Sequence, residues 1–387
     1  MAKGTKKQTI INQTLMKIQI VTRPSNGCDY FRCVLPAIYL QKDVEWSAKN
    51  SIELLWIAQG EMKIDCNILI YNKLIGTSID RLKHLQKQGM KIVVDVDDMW
   101  DLPKGHAHYE QWNGSGNHTL TIEHMKIADL VTCTSMRLQE AIRPYNKNTV
   151  VIPNALPFGE GIYQPTTREP YDKLRFLYAG GVSHLPDVEL LRFPFKKVGS
   201  TLYVKGDSFI RNNAEFIIAG YDQISQKVYR SKEDHDKLND NYTIQTIPGP
   251  YDDMVSIFKQ TGKHKVVPTT HVTQYIKCYD QADVALAPLR DTSWNSYKST
   301  LKVLEAASRN IPIICSNVPP YSDLRPCEGI MFIEREGDWL DYFRYCIKNP
   351  EFVKDMGYKL SDWIREEYSL QLWNQTRKQL YDNLVSK

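Results

Sequence analysis

The chain has 387 residues, enough to bury two separate cores, and its 42% hydrophobic and 24% charged content is ordinary for a globular protein. A formal charge of +4 is small for this length and does not argue for a duplex-binding surface, though it leaves room for a local basic patch. The eight cysteines are scattered, with no C-x-x-C pair and no zinc spacing, so the expectation is a reduced, cytoplasmic setting with most of them as small buried apolar residues. No apolar run approaches the length of a membrane span, and the basic start Met1–Lys7 lacks an apolar stretch behind it. Any membrane contact is expected to be peripheral.

In chain order, strands are predicted near Lys17–Val21, Asn67–Tyr71, Lys91–Val96, Leu130–Cys133 and Val150–Ile152. Helical patterns lie between them at Tyr30–Gln41, Ser78–Gln88 and Ser135–Ile142. Short apolar runs without strict alternation, separated by helices, point to a parallel sheet covered on both faces. Pro157–Pro170 holds three prolines and two glycines and reads as an interdomain linker. The pattern then restarts at Arg175–Ala179, Phe216–Ala219, Thr243–Ile247, Val284–Ala287, Pro312–Cys315 and Ile330–Ile333. Arg192–Asn241 is less regular, and its charge run Arg230–Lys237 reads as a solvated surface. From Glu351 onward the chain reads as helices, with Trp363, Leu370, Leu372, Trp373 and Leu380 available for packing. The fold class expected is α/β: two doubly wound, Rossmann-like parallel-sheet domains, 1–160 and 171–367, facing across a cleft at the carboxyl ends of their strands.

Chemistry is therefore sought on the loops that follow strands. Arg23-Pro-Ser-Asn-Gly-Cys-Asp-Tyr-Phe-Arg32 follows the first strand, and Gly27 marks a turn where backbone can approach a ligand closely. A plain structural turn explains Gly27 equally well, and Tyr30 and Arg32 read more readily as helix-start residues than as ligands. Val94-Asp-Val-Asp-Asp-Met-Trp-Asp101 crowds four acids at a strand end, which favours function at Asp97 or Asp98 over a simple helix cap. His106 and His108 sit two apart near Tyr109 and Trp112, and lack a nearby third metal ligand. A surface-loop role is the simpler account of them, an acceptor contact the sharper one. Tyr178-Ala-Gly-Gly-Val-Ser-His-Leu-Pro-Asp187 places Gly180 and Gly181 in a tight turn ahead of a helix, and no Gly-Lys-Ser/Thr follows to make it a P-loop.

The last segment is the most informative. Ala282-Asp-Val-Ala-Leu-Ala-Pro-Leu289 is a short strand ending in Pro, and Asn295-Ser-Tyr-Lys-Ser-Thr-Leu-Lys-Val-Leu-Glu305 reads as a loop and a helix of about three turns. Asn295 and Ser296 are good N-cap types; Leu301, Leu304 and Ala307 fall on an apolar face; Asn310 and Pro312 end the helix. Lys298, Lys302 and Glu305 recur at i, i+4 and i+7 and so share one side. Two cations at a helix N-terminus suit a diphosphate, and a carboxylate further along suits sugar hydroxyls. A solvated Lys–Glu face is the bland alternative.

Together, 282–289 and 295–316 resemble the donor-binding segment of GT-B glycosyltransferases, in particular the large retaining family often called family 4. Many members carry Glu, seven residues, then Glu; here the second matches Glu305, but the first position is Tyr297, and Lys298-Ser299 looks like a sub-group variant. The resemblance implies a C-terminal helix, about 368–387, that packs back on the first domain. It also implies donor contacts from Gly180, Gly181, His184, Asn295, Lys298, Ser299, Lys302 and Glu305. The loop at Asp97 and Asp98 would then face the acceptor, with Gly27, Tyr30, Arg32, His106 and His108 as further acceptor-side candidates. The implied activity is sugar transfer from a nucleotide-diphosphate-sugar to an acceptor hydroxyl, with retention of configuration, no cofactor and no divalent metal. The acceptor is left as a glycan, a lipid-linked group or modified DNA of the phage type. Two other readings stand beside it: a non-catalytic nucleotide-sugar or glycan binder, motivated by Tyr297, and a GT-A-like metal enzyme using Asp95-x-Asp97.

Overall fold

The structure, a computed structural model, describes residues 15–386 except 24–25, 41–43, 51–65, 169–171, 193–194, 199–200, 205–206, 222–249, 260–261, 326 and 336. The expected strand Thr243–Ile247 and charge run Arg230–Lys237 lie outside the described residues, as do Met1–Lys7 and the end of the 157–170 stretch.

Six strands of the first half, β1 (Met16–Thr22), β2 (Val44–Asn50), β3 (Ile68–Asn72), β4 (Lys91–Val96), β5 (Leu130–Cys133) and β6 (Thr149–Val151), form one sheet in the order β2-β1-β3-β4-β5-β6. Every pairing is parallel. In β3 all five residues are buried, which is why its sequence shows no alternation. The second half repeats the plan with β7 (Leu174–Ala179), a short antiparallel ribbon of β8 (Phe195–Val198) and β9 (Thr201–Val204), then β10 (Ala214–Tyr221), β11 (Lys263–Pro268), β12 (Val284–Ala287), β13 (Ile313–Ser316) and β14 (Ile330–Ile333). Its sheet runs β11-β10-β7-β12-β13-β14, again parallel throughout.

In the two six-stranded sheets, the strands that sequence patterning does not find, β2 and β11, are both edges; it also misses the ribbon strands β8 and β9. An edge strand buries less, and β11, Lys-His-Lys-Val-Val-Pro, has no fully buried residue. The other predicted strands fall within two residues of their expected bounds.

Strand order reverses between β1 and β3 in the first sheet and between β7 and β12 in the second. Loops leaving the two neighbouring strands at such a point diverge to opposite faces and open a crevice. After β1 the chain turns into a helix over Gly27–Leu40 whose middle turn, Tyr30–Val34, is π-helical; Asn26 accepts a bond from the Asp29 amide at 3.0 Å to start it.

The stretch after Pro157 is not a free linker. Leu156 exchanges backbone bonds with Tyr368 and Leu370, at 3.2 and 2.9 Å. Tyr163 is buried, and Phe158 and Ile162 pack beside it. Phe31, Leu35, Leu156 and Tyr163 join Leu177, Ile276 and Leu304 in one apolar cluster, so the two halves share a core at their junction. The final helix, Leu370–Val385, returns to the first half: Tyr381 and Leu384 pack with Ile18 and Ile70, and the Asn374 amide donates to the Pro36 carbonyl at 2.9 Å. Leu370 is buried as expected, whereas Leu372 is 45% exposed. All eight cysteines are free, six of them buried. No helix among the described residues is long and apolar enough to cross a membrane.

The helix Pro350–Tyr368 crosses the helix Leu301–Ala307 closely enough that a Cβ on Gly357 would lie 2.2 Å from the Asn310 carbonyl oxygen. Gly357→Ala should therefore cost about 1–3 kcal/mol by overpacking, despite alanine's better helix propensity. Gly337→Ala, with nothing within 4 Å, should be near neutral. Denaturant midpoints at unchanged slope check both, and equal midpoints would contradict the close crossing.

Candidate functional site

The two crevices face each other and form one cleft of about 520 Å³. Its second-half wall is built from two loops and a helix start. β7 ends in Tyr178-Ala179-Gly180-Gly181, and a Cβ on Gly180 would lie 2.5 Å from the Tyr178 hydroxyl and 3.1 Å from Lys302 Nζ. Glycine is what lets that lysine cross above the strand end. A 3-10 turn, Val182–His184, and a short helix, Leu185–Val188, follow.

His184 Nδ1 bonds Asp187 Oδ2 at 2.8 Å, and Asp187 Oδ1 accepts from the Arg290 amide at 2.9 Å and from Asn295 Nδ2 at 3.0 Å. Burial raises the Asp187 carboxyl, but the bonds from His184, Arg290 and Asn295 outweigh it and hold the pKa low. Burial pushes His184 down to about 4 despite that carboxylate. The ring is thus neutral at pH 7, and Asp187 fixes the proton on Nδ1.

The helix near Lys302 differs from the sequence expectation. Asn295–Tyr297 is a separate 3-10 turn, Lys298 is extended, and the α-helix runs only from Leu301 to Ala307. Asn295 caps nothing and lies outside the cleft lining. It is buried, and its amide donates to Asp187 and to the Arg290 carbonyl, so it supports the partner of His184. The helix is buried nearly all round, with Val303, Leu304, Ala306 and Ala307 inaccessible. Asn310 does take the left-handed conformation, φ 51°.

Lys298, Ser299, Lys302 and Glu305 nevertheless line the cleft together with Gly180, Gly181 and His184. Lys302 Nζ donates to the Ala179 carbonyl and stands 5.3 Å from the centre of the Tyr178 ring. Burial lowers its pKa, partly offset by Glu305. Glu305 is 2% exposed and accepts from the Tyr279 hydroxyl at 2.7 Å. Burial lifts its pKa to about 7 against the pull of Lys302.

The opposite wall belongs to the first sheet. Gly27, Cys28 and Phe31 line it from the helix after β1, and Asp97 lines it from the end of β4. Asp97 Oδ1 accepts from Asn72 Nδ2 at 2.9 Å and lies 3.1 Å from Lys73 Nζ, which also binds Asp98. Arg32 lines the cleft too, but its guanidinium is held by Asp95 at 2.9 and 2.8 Å and by Asn154 at 3.2 Å. Asp95 further accepts from Thr132 at 2.6 Å. With both oxygens of Asp95 taken by Arg32 and Thr132, the Asp95-x-Asp97 metal pair of the alternative reading is not formed. No cluster of three or more metal-binding side chains occurs among the described residues.

Tyr30 turns from the cleft and packs edge-on against Phe31, ring centres 5.3 Å apart. His106 and His108 also lie off the lining. His106 packs at a tilt of 58° against Trp294 of the second half, ring centres 4.9 Å apart, and burial with Lys298 nearby lowers its pKa; His108 is exposed. A second contact spans the cleft: Lys298 Nζ is 3.9 Å from Asp98 Oδ2 and 4.0 Å from the centre of the Trp294 ring.

No protein-family model and no curated protein matches the sequence. Solved structures do match the fold over nearly the whole chain. Sucrose-phosphate synthase from Thermosynechococcus elongatus superposes with a TM-score of 0.66 at 11% identity, covering 96% of this chain and 99% of that one. Anabaena HepE, solved with UDP and glucose, gives 0.59 at 10% identity, with coverage of 96% and 100%. An alpha-glucosyltransferase in complex with UDP and a 13-mer DNA containing an HMU base gives 0.57 at 11% identity, with coverage of 97% and 100%. The chain has the GT-B fold.

Sequence reasoning missed Lys73, Asn72, Asn154, Tyr279 and Tyr321, all in or directly behind the cleft. Lys73 and Asn72 were within reach: they end β3, and the rule that chemistry sits where parallel strands stop would have selected them. Tyr279 carries no such signal, because its hydroxyl meets Glu305 only through the fold of the second half.

Because the folded Glu305 pKa is raised, the stability linked to it is fully present below about pH 4.5, its ordinary value, and is lost as pH rises through about 7. Glu305→Gln should abolish that loss, on the order of 3 kcal/mol, so that the variant gains on the wild type between pH 5 and 8. Unfolding free energies of the two proteins across that range check it; parallel curves would show that Glu305 is not buried as an acid.

Proposed function

We propose that the chain transfers a glycosyl group from a nucleoside-diphosphate sugar to an acceptor hydroxyl. The observation that carries this reading is the composition of one cleft wall: Lys298, Ser299, Lys302, His184 and the Gly180–Gly181 backbone converge there with buried Glu305 behind them. Two lysines and peptide amides suit a diphosphate leaving group, whose negative charge grows as the glycosidic bond breaks. Glu305, oriented by Tyr279, is placed to accept a bond from a sugar hydroxyl. Asp97, on the facing wall, would take the acceptor hydroxyl. Lysines supplying the countercharge make metal-independent transfer the expectation, and likeness to the retaining GT-B family makes retention the expected stereochemistry.

Two of the similar structures are complexes with UDP, which makes UDP-sugars the first donors to try. The acceptor is a glycan, a lipid-linked group or a modified base; the DNA-bound neighbour is the reason to keep the last. An affinity for DNA that falls steeply with salt would favour it. A nucleotide at a hundred times its dissociation constant should add about 2.7 kcal/mol of stability, visible as a raised melting point with or without EDTA.

Lys302→Ala should lower transfer by about 10²–10³-fold while the chain still folds. Sugar-transfer assays with circular dichroism on the same samples test this, and near-normal transfer by the variant would sink the donor-site assignment. Asp97→Asn should reduce turnover far more than nucleotide affinity; an equal loss of both would move Asp97 out of the acceptor role.

A further inference from the structure

Among the described residues, Lys73 is the cation paired directly with Asp97. It directly follows β3, beside the reversal of strand order, with a left-handed backbone, φ 59°. Its side chain is 12% exposed, and Nζ sits between Asp97 Oδ1 at 3.1 Å and the carboxylate of Asp98. A non-glycine residue held at positive φ is uncommon, and such positions cluster at functional sites. The neighbouring cations are engaged elsewhere: Arg32 with Asp95, Arg23 with Asp29 at 2.5 Å, and Lys298 reaches only Asp98.

We propose that Lys73 is a positioning residue that keeps Asp97 ionised and aimed into the cleft, with Asp98 as its second anchor. The inference rests on the acceptor-side reading of Asp97 given above. Every group around Asp97 fits the assignment. Asn72 donates to its Oδ1 at 2.9 Å, the Cys28 thiol bonds its carboxylate, and Thr134 Oγ1 holds its backbone carbonyl at 3.0 Å. Two like charges stand beside it: Asp98, which Lys73 also binds, and Asp95, which shares the Asn72 amide at 3.4 Å and is paired with Arg32. Burial works to raise the Asp97 pKa, yet Lys73, Cys28 and Asn72 together hold it well below the usual carboxylate range. Burial likewise disfavours the Lys73 ammonium, and Asp97 and Asp98 outweigh it. An opposite charge at this distance moves a carboxylate by about 1–3 pH units, so the contribution of Lys73 is large enough to be read in the titration of Asp97.

The experiment is a pH titration of the full chain labelled with ¹³C at the aspartate carboxyls, with Asp97→Asn to assign the signal. In the wild type the Asp97 signal should stay ionised below the ordinary midpoint of about 4. In Lys73→Met the midpoint should rise by about 1–3 units, and Lys73→Arg should restore it. A wild-type midpoint at the ordinary value, or the same midpoint in wild type and Lys73→Met, would overturn the proposal. Should Lys73→Met not fold, the wild-type and Lys73→Arg titrations still decide. Where transfer is measurable, the acid limb of turnover should move up with the midpoint at unchanged nucleotide affinity, which a merely structural lysine would not produce. The titration does not depend on transfer, so absence of sugar transfer would defeat the proposed function and leave the assignment of Lys73 to be judged by its own signal.

Discussion

A parallel sheet covered on both faces can carry polar chemistry only where its strands stop. Within β3, β4, β12 and β13 nearly every residue is buried among apolar neighbours, and an unpaired charge there would cost several kcal/mol. The carboxyl ends are different. Backbone amides of the following turns are free to point outward, and side chains such as Lys73, Asp97, His184 and Lys298 keep a part of their surface exposed. Because the chain repeats this architecture and packs the repeats around a shared apolar junction of Phe31, Leu156, Tyr163 and Leu304, the two sets of ends confront each other. The position of the cleft follows from that confrontation.

The two walls handle charge in different ways. On the first-half wall each buried ion has its own partner: Arg32 with Asp95, Lys73 with Asp97 and Asp98, Arg23 with Asp29. It is a nearly self-neutralised surface that offers an oriented carboxylate. On the second-half wall Lys302 is bonded to a carbonyl and not to an acid, and its nearest carboxylate, Glu305, has its pKa lifted to about 7 by burial. Asp187 is occupied by His184, Asn295 and the Arg290 amide. That wall lacks anions for its cations, and under the proposed function a diphosphate would supply them.

How much of this was legible beforehand depended on burial. β4, β5, β12 and β13 were readable because central strands are continuous apolar runs, while β2 and β11 at the edges were not. Gly180, His184, Lys302 and Glu305 could be selected because loops after strands are local in sequence. Their supporting contacts were not legible, since Asn295 to Asp187 and Tyr279 to Glu305 are long-range side-chain contacts with no spacing rule behind them. The same limit explains why Asn295 read as a helix cap. Its residue type is right for a cap, but the extended Lys298 breaks the helix, and a buried carboxylate from another segment claims the amide. Tyr30 does begin the π-helical turn, in keeping with the helix-start reading, and only the packing of that helix decides which side faces the cleft.

The contacts that cross the cleft are weaker than those within each wall, and this has a consequence for ligand binding. Lys298 and Asp98 stand 3.9 Å apart with 18% and 25% of their side chains exposed. Such a partly solvated pair is worth only about 1 kcal/mol or less. Asp98 does not depend on it, because Lys73 already holds that carboxylate, and Lys298 keeps the Trp294 ring as a second partner. A diphosphate reaching the second wall would bring more negative charge to Lys298 than Asp98 presents, and could displace it at little cost. Asp98 would then fall back wholly on Lys73. The charge pattern of the first wall is thus arranged to survive the loss of the Lys298–Asp98 pair.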